Sequence, residues 1–321
     1  MTDETVRSLI VTKRIDEAHN MVSFELADSD GADLPPFSAG SHIDVTAPGG
    51  LVRQYSLCNS PDERNRYVIG VWKDPNSRGG SKALHDAVNA GDVIQVGLPR
   101  NRFRIPRSTK RAILLARGIG VTPMLSIASD LASKQIPFEF HYVYALMSPD
   151  AFTGIIKDSN FADKITFYYE AREQNRVVDP AAILSDQPDG TQFFICGADW
   201  WQDPIINLAK QKGFTEDRIH VERFAGKVPP AALDKVFDVK LASTGKVYKI
   251  PGDKTVSAAL EEAGVRIPTS CEQGMCGTCR TKILEGEADH RDKHLSDQQR
   301  AEGYFLPCWS RAKGDLLVLD I

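Results

Sequence analysis

The run Thr269-Ser270-Cys271-Glu272-Gln273-Gly274-Met275-Cys276-Gly277-Thr278-Cys279 places three cysteines in the spacing C-x4-C-x2-C, and Cys308 follows further along the chain. This spacing is typical of the plant-type ligand set of a 2Fe-2S cluster. Small residues fill the gaps between the cysteines, so backbone N–H groups can turn toward the sulfur atoms. The sequence therefore predicts a 2Fe-2S cluster held by Cys271, Cys276, Cys279 and Cys308.

The alternatives for these cysteines are a zinc site and reduced structural thiols. Zinc sites favour paired C-x2-C units, whereas this chain has a single unit, at Cys276 and Cys279. Six cysteines among 321 residues are too few for a disulfide scaffold. Cys58 and Cys196 stand far from other cysteines, and a buried small hydrophobe is the default interpretation for each taken alone.

The sequence around the cysteines predicts a β-grasp ferredoxin domain over 236–321. Alternating apolar residues over 237–241 and 248–250 indicate a hairpin, and apolar residues at helical spacing follow over 256–263. The run 316–319 predicts a closing strand. The Pro- and Ala-containing segment 226–235 is interpreted as a linker.

The first hundred residues predict a small antiparallel barrel, over 1–106. Short alternating segments at 41–45, 67–71 and 93–96 are separated by Gly and Pro. Such a barrel can hold a flavin, and two segments carry groups that suit one. They are Arg53-Gln54-Tyr55-Ser56-Leu57 and Arg78-Gly79-Gly80-Ser81.

Each residue type in these segments has a physical reason to contact a flavin. Arg53 offers a forked donor for a phosphate, Tyr55 a flat ring and Ser56 a hydroxyl. The glycine pair lets the backbone approach an anion, and a helix expected to open near 83–84 would add positive charge there. Taken alone, Gly-Gly-Ser is usually only a turn.

From 107 to 225 the pattern changes to an α/β domain. The apolar run 112–116 leads into Arg117-Gly118-Ile119-Gly120-Val121-Thr122-Pro123, and apolar residues then recur at helical spacing. Thr122 is a candidate helix cap, and Pro123 suits the first turn. A second strand ends at Cys196-Gly197. Both loops would open onto the carboxyl edge of the sheet, where nucleotides bind.

The bulk composition narrows the function classes. A length of 321 residues predicts two or three domains. The formal net charge of −4 makes nucleic acid and anionic membranes poor partners. Because the chain shows neither a signal peptide nor an apolar run near the roughly 18 residues that span a bilayer, a cytoplasmic location is expected. A monomer is also expected.

The motifs described above are joined by two further segments, Glu222-Arg223-Phe224 and 286–292. Taken in chain order, the whole set closely resembles the phthalate dioxygenase reductase family. The resemblance implies an FMN barrel, an NAD domain and a ferredoxin, together with a role as NADH-dependent electron donor to a Rieske-type terminal oxygenase. It also implies contacts to FMN or NADH for a set of residues, comprising Arg53, Tyr55, Ser56, Leu57, Val71, Trp72, Lys73, Arg78, Gly79, Gly80, Ser81, Gly118, Ile119, Gly120, Thr122, Pro123, Cys196, Gly197 and Phe224.

Three positions bear on the nicotinamide site. Arg117 stands where the family usually has glycine, and Ala198 stands where proline is usual. The segment 145–147 lacks the arginine that would pair with a 2′-phosphate, and Glu170 is placed to accept from a ribose hydroxyl. Both of these features favour NADH over NADPH.

A hydride donor and a one-electron cluster need a flavin between them. Hydride transfer is positioning chemistry, so no catalytic acid, base or nucleophile is assigned. The leading hypothesis is a reductase that serves an aromatic (phthalate-like) Rieske oxygenase or demethylase. The alternatives are a reductase for a cytochrome P450 or another acceptor, and an iron–sulfur redox sensor in which Arg117 has impaired hydride transfer.

Overall fold

A computed structural model describes residues 6–75, 77, 79–144, 151–169, 177–224, 234–269, 272, 274–292 and 294–321. The chain forms two compact units, Met1–Phe224 and Ala225–Ile321. The first unit contains an antiparallel barrel and a parallel α/β sheet, and the second contains a mixed sheet. The predicted fold class is therefore confirmed. The finer boundaries at 106/107 and at 226–235 stay predictions.

The barrel closes through a bridge between Leu57 and Ile69, which joins the last strand of its path to the first. Its order is β4-β3-β6-β1-β2-β5, with β7 paired to β3. Phe24, Ile43 and Leu84 are fully buried inside it. The elements are β1 Val6–Ala18, β2 Met21–Ala27, β3 Ser41–Thr46, β4 Val52–Ser56, β5 Tyr67–Trp72, α1 Gly80–Ala87, β6 Val93–Gly97 and β7 Arg100–Asn101.

The α/β sheet is parallel throughout, with the order β10-β9-β8-β11-β12. Its elements are β8 Ala112–Arg117, α2 Val121–Ser133, β9 Phe138–Tyr144, α3 Thr153–Lys157, β10 Ile165–Tyr169, α4 Pro180–Leu184, β11 Gln192–Cys196, α5 Asp199–Gln211 and β12 Ile219–Glu222. The strand order reverses between β8 and β11. A crevice beyond the carboxyl ends of these two strands is where such sheets bind ligands.

The second unit is a β-grasp. Its sheet has the order β14-β13-β19-β15-β17, and β16 pairs with β18. Val256 and Leu260, one helical turn apart, bury α6 against this sheet. The elements are β13 Phe237–Leu241, β14 Val247–Ile250, α6 Val256–Glu262, β15 Thr281–Glu285, β16 Ala288–Asp289, α7 Asp297–Ala301, β17 Tyr304–Phe305, β18 Arg311–Ala312 and β19 Leu316–Leu319.

Two local expectations were wrong. Helix α1 begins at Gly80, not near 83–84, because Gly79 adopts a φ of 105° and turns the chain directly into the helix. Thr122 does not cap α2. The cap is Gly120, and the Thr122 hydroxyl instead donates to the carbonyl of Ile119 over 2.9 Å. None of the described helices is long and apolar enough to cross a bilayer.

Candidate functional site

The structure describes three of the four predicted cluster ligands. Cys276, Cys279 and Cys308 are buried, and the Sγ atoms of Cys279 and Cys308 lie 3.2 Å apart. The turn after β17 brings Cys308 to the loop. Cys271 lies outside the described residues, and among those that are described no group of three or more metal-binding side chains forms a complete centre.

The loop itself has the backbone that an enclosed cluster needs. Gly274 has a φ of 66°, and a Cβ there would lie 2.8 Å from the Trp309 ring. Gly277 has a φ of 75°, and a Cβ there would overlap the His294 ring. The backbone N–H of Thr278 donates to Cys276 Sγ over 3.5 Å. The thiolate donors, the inward N–H group and the tight loop fit a 2Fe-2S cluster.

A buried carboxylate supports this loop from behind. Burial acts to raise the pKa of Asp292, but hydrogen bonds from the Leu295 N–H and the Ser310 hydroxyl, each 3.0 Å, outweigh it and lower the pKa. Trp309 Nε1 donates to the carbonyl of Arg291 over 3.0 Å. In the sequence, the segment 286–292 stood out only as part of the resemblance. Its supporting role depends on contacts between residues that are distant in the chain, so the sequence alone did not reveal that role.

The predicted flavin phosphate ligands come together from two segments. Arg53, Tyr55 and Ser56 lie on β4, and Gly79, Gly80 and Ser81 lie at the start of α1. A Cβ on Gly80 would lie 2.6 Å from Arg53 Cγ, so the helix start packs against the arginine stem. Gly79, the residue before α1, has no side chain that could cap the N–H groups of the first turn. The first-turn N–H groups and the guanidinium therefore suit a phosphate. Arg78 lies outside the described residues.

The remaining flavin candidates line the same part of the barrel. Leu57 and Val71 are fully buried, Trp72 is the last residue of β5, and Lys73, which follows it, forms an ion pair with Asp86. Burial raises the pKa of Tyr55 above its usual value, so its hydroxyl keeps its proton at neutral pH. Their contacts with FMN stay predictions.

The nicotinamide candidates meet at the point where the strand order reverses. Gly118 has a φ of 56°, and a Cβ on Gly120 would lie 2.6 Å from the carbonyl carbon of Cys196. A Cβ on Gly197 would lie 3.1 Å from Arg117 Cβ. The two loops therefore contact each other closely at the carboxyl edge of the sheet, where such folds bind nucleotides.

The other members of this set have defined places. Ile119 is half-buried in the short 3-10 turn Gly118–Gly120, and Pro123 is in the first turn of α2, as predicted. Phe224 is half-buried and packs against the core of the α/β sheet. Glu170 and the segment 145–147 lie outside the described residues, so the preference for NADH stays a prediction.

The sequence did not predict two features of this carboxyl edge of the α/β sheet. Glu222 pairs in register with Cys196, and burial raises its pKa to about 7, opposed by the charge of Arg102. The same burial raises the pKa of the Cys196 thiol well above its usual value. Arg117 lies with its guanidinium 4.6 Å from the centroid of the exposed Trp200 ring. In the sequence, Glu222 is a single acidic residue at the end of a strand. Such residues are too common for Glu222 to be singled out from the sequence.

The comparisons with known proteins agree with these sites. The family model for a 2Fe-2S iron-sulfur cluster binding domain matches residues 239–313. Vanillate O-demethylase oxidoreductase of Pseudomonas sp. (strain HR199 / DSM 7063) is 43% identical, over 95% of this chain and 96% of that protein. Phthalate dioxygenase reductase of Burkholderia cepacia is 36% identical, over 95% of this chain and 94% of that protein.

Solved structures give the same result. A structure of phthalate dioxygenase reductase, described as modular for electron transfer from pyridine nucleotides to 2Fe-2S, matches with a TM-score of 0.79 and 35% identity, covering 98% of each chain. An intact type IV self-sufficient cytochrome P450 monooxygenase matches with a TM-score of 0.75 and 33% identity, covering 98% of this chain and 41% of that one.

The fold and the three sites define a flavin and iron–sulfur oxidoreductase. Its relatives include a vanillate O-demethylase oxidoreductase, a phthalate dioxygenase reductase and the reductase subunit of a phthalate 4,5-dioxygenase oxygenase. The chain belongs to the phthalate dioxygenase reductase family. Membership confirms the expected cofactors, which are FMN, a nicotinamide nucleotide and a 2Fe-2S cluster, whereas the choice of NADH over NADPH stays a prediction.

Proposed function

We propose that this chain is a cytoplasmic, monomeric, NADH-preferring reductase that supplies electrons to a Rieske-type oxygenase or demethylase of an aromatic acid. The observation that carries the proposal is the convergence of the loops at Gly120 and Cys196 in the same unit as the Arg53–Gly80 phosphate cradle. A C-terminal cluster loop completes the set. Relatives that serve vanillate and phthalate oxygenation, at 43% and 36% identity, support an aromatic acid as the substrate of the partner.

When bound, the flavin supplies a hydride acceptor that can release single electrons, and the cluster supplies a one-electron acceptor. The residues of this chain bind and orient these groups. Arg53 and the N-terminus of α1 hold the flavin phosphate by charge and by N–H donation. Ser81 is fixed for the same purpose, since its hydroxyl lies 3.0 Å from that of Ser77.

The nicotinamide loop works by close backbone approach. Gly120 packs on the backbone of Cys196 and Gly197 packs against the Trp201 ring, so the two loops meet closely at the sheet edge. The Arg117 guanidinium and the Trp200 ring border this edge, which gives the site a cation and an aromatic surface for a dinucleotide. Orientation of this kind needs no protein acid or base, because no proton leaves a protein atom in hydride transfer.

The cluster loop holds negative charge on its sulfur atoms. The Thr278 N–H directed at Cys276 Sγ stabilises that charge, as N–H donors do around cluster thiolates. The buried Cys276, Cys279 and Cys308 keep water from the ligand sulfurs. Relatives that are named oxidoreductase and reductase favour an enzyme that passes electrons through these sites over a redox sensor.

A coupled assay tests the partner assignment. The purified chain, NADH and either a vanillate-type or a phthalate-type oxygenase are combined, and product formed per NADH oxidised is measured. We expect product coupled to NADH oxidation with at least one of them, and fast flavin reduction without coupling to either would reject the aromatic-acid partner. A cytochrome P450 is the second candidate, because the self-sufficient P450 monooxygenase is 33% identical over 98% of this chain.

A further inference from the structure

Gly70 lies where the barrel touches the α/β sheet. It is on β5, directly before Val71 and Trp72, which are flavin candidates. An ideal Cβ on Gly70 would lie 2.5 Å from Phe152 Cζ and 2.6 Å from Thr122 Cγ2. Both distances are far inside van der Waals contact, so the ring and the methyl group pack directly on the backbone of Gly70. Glycine is required here for close approach.

Phe152 is itself held firmly. It is fully buried and has a φ of 62°, a left-handed conformation that bulky residues rarely adopt. Its N–H donates to Glu17 Oε2 over 2.8 Å, and Glu17 Oε1 accepts from the Ser23 hydroxyl over 2.6 Å. Ser23 is the register partner of Gly70. The carboxylate therefore ties Phe152 to the same pair of strands on which its ring packs.

We propose that Glu17, Gly70 and Phe152 form a positioning joint that sets the separation between the flavin strand β5 and the nicotinamide loop. None of the three is among the cofactor candidates. They act through Thr122, whose methyl group lies on Gly70 and whose hydroxyl donates to the carbonyl of Ile119 in that loop. The inference rests on the proposed function, because it assumes that hydride passes between these two segments.

The space around the joint is packed on one side and open on the other. Cys58 and Val68 of the barrel share a buried cluster with Phe152. A cavity of about 670 Å³ opens on the other side, between the barrel and the α/β sheet, and Glu17, Thr153 and Gly154 are among its lining residues. On the cavity side, the contact at Gly70 and the two hydrogen bonds of Glu17 hold the spacing.

Small changes in this spacing have large kinetic consequences. A displacement of about 1 Å between reacting groups costs on the order of a hundredfold in rate. In Gly70→Ala the new Cβ would lie only 2.5 and 2.6 Å from its neighbours, well inside ordinary contact distances. The Phe152 ring and the Thr122 methyl group would therefore have to move away by about 1 Å. We expect the rate of flavin reduction by NADH to fall about ten- to a hundredfold.

The test compares Gly70→Ala with Gly154→Ala in the full holoprotein. Gly154 borders the same cavity, and a Cβ there meets nothing within 4 Å, so it is a matched control. Stopped-flow measurement gives the limiting flavin reduction rate and the NADH dissociation constant. Titration with NAD+ gives the affinity without turnover. A positioning role predicts a slower limiting rate in Gly70→Ala alone, with the dissociation constants within about twofold.

Further variants guard against misfolding. Glu17→Gln keeps the size of the side chain but loses one acceptor oxygen, and Phe152→Leu replaces the ring that contacts Gly70 with a shorter branched side chain. Each should slow hydride transfer severalfold while FMN and the cluster spectrum are retained. Unchanged limiting rates in Glu17→Gln and Phe152→Leu would overturn the joint. A wild-type protein that NADH does not reduce would instead overturn the proposed function, which distinguishes the two failures.

Discussion

Glu222 allows a quantitative prediction about pH and stability. Its pKa is raised from the usual 4.5 to about 7 by burial, with Arg102 acting in the opposite direction. Below pH 4.5 both the folded and the unfolded states carry the proton. Between pH 4.5 and 7 the unfolded state loses its proton first, so the free energy of unfolding falls as the pH rises. Above pH 7 both states are ionised and the effect levels off.

The magnitude follows from the shift. At about 1.4 kcal/mol per pKa unit, the rise from 4.5 to about 7 corresponds to at most about 3.5 kcal/mol. Because the side chain is half-buried, solvent screening reduces this to about 1 to 2 kcal/mol. Glu222→Gln removes the ionisation and keeps the shape. The variant should therefore be more stable than the wild type at pH 8, and similar to it at pH 5.

Urea unfolding of the full holoprotein at pH 5 and at pH 8, with flavin release as the readout, measures this difference in the free energy of unfolding. Glu216→Gln is the control, since the hydrogen bond to Lys210 lowers the pKa of the exposed Glu216, so its contribution to stability changes below pH 4.5 and stays nearly constant between pH 5 and pH 8. If the stability difference between Glu222→Gln and the wild type is the same at both pH values, the buried, proton-retaining carboxyl is refuted.

Three further changes have defined outcomes. Cys276→Ser should abolish the visible spectrum of the cluster and leave flavin reduction by NADH intact, and a normal cluster spectrum would contradict the ligand assignment. Gly120→Ala forces its Cβ away from the Cys196 carbonyl carbon at 2.6 Å and should slow flavin reduction about a hundredfold; a wild-type rate in stopped flow would argue against the nicotinamide loop. Arg117→Gly removes the guanidinium stacked on Trp200 and should weaken NADH binding by about 1 kcal/mol, roughly fivefold in the dissociation constant; equal constants would mean that Arg117 does not contribute.

The sequence predicted most of the sheet and the cluster ligands for a clear reason. Strand and helix periodicity reports burial directly, so β13, α6 and β11 appeared where expected. Three of the four predicted cluster ligands, Cys271, Cys276 and Cys279, lie in one short motif with fixed spacing, which local sequence reveals. The ligand assignment itself stays a prediction. The Gly-x-Gly at 118–120 was also recognisable, because a strand and a helix flank it.

The remaining features depend on contacts between distant residues. The start of α1 was misplaced because the φ of Gly79 depends on how the chain enters the barrel, not on propensity. The raised pKa of Glu222 is a property of the fold around it. The contact of Phe152 with Gly70 joins residues on separate elements, and no pattern along the chain marks it.

Anaerobic addition of NADH to the purified holoprotein tests the central claim most directly. Absorbance should show loss of the flavin bands first and reduction of a 2Fe-2S cluster second, in protein that contains two irons per cluster with matching acid-labile sulfide. Protein that carries zinc, or a cluster that stays oxidised after the flavin has been reduced, would contradict the account.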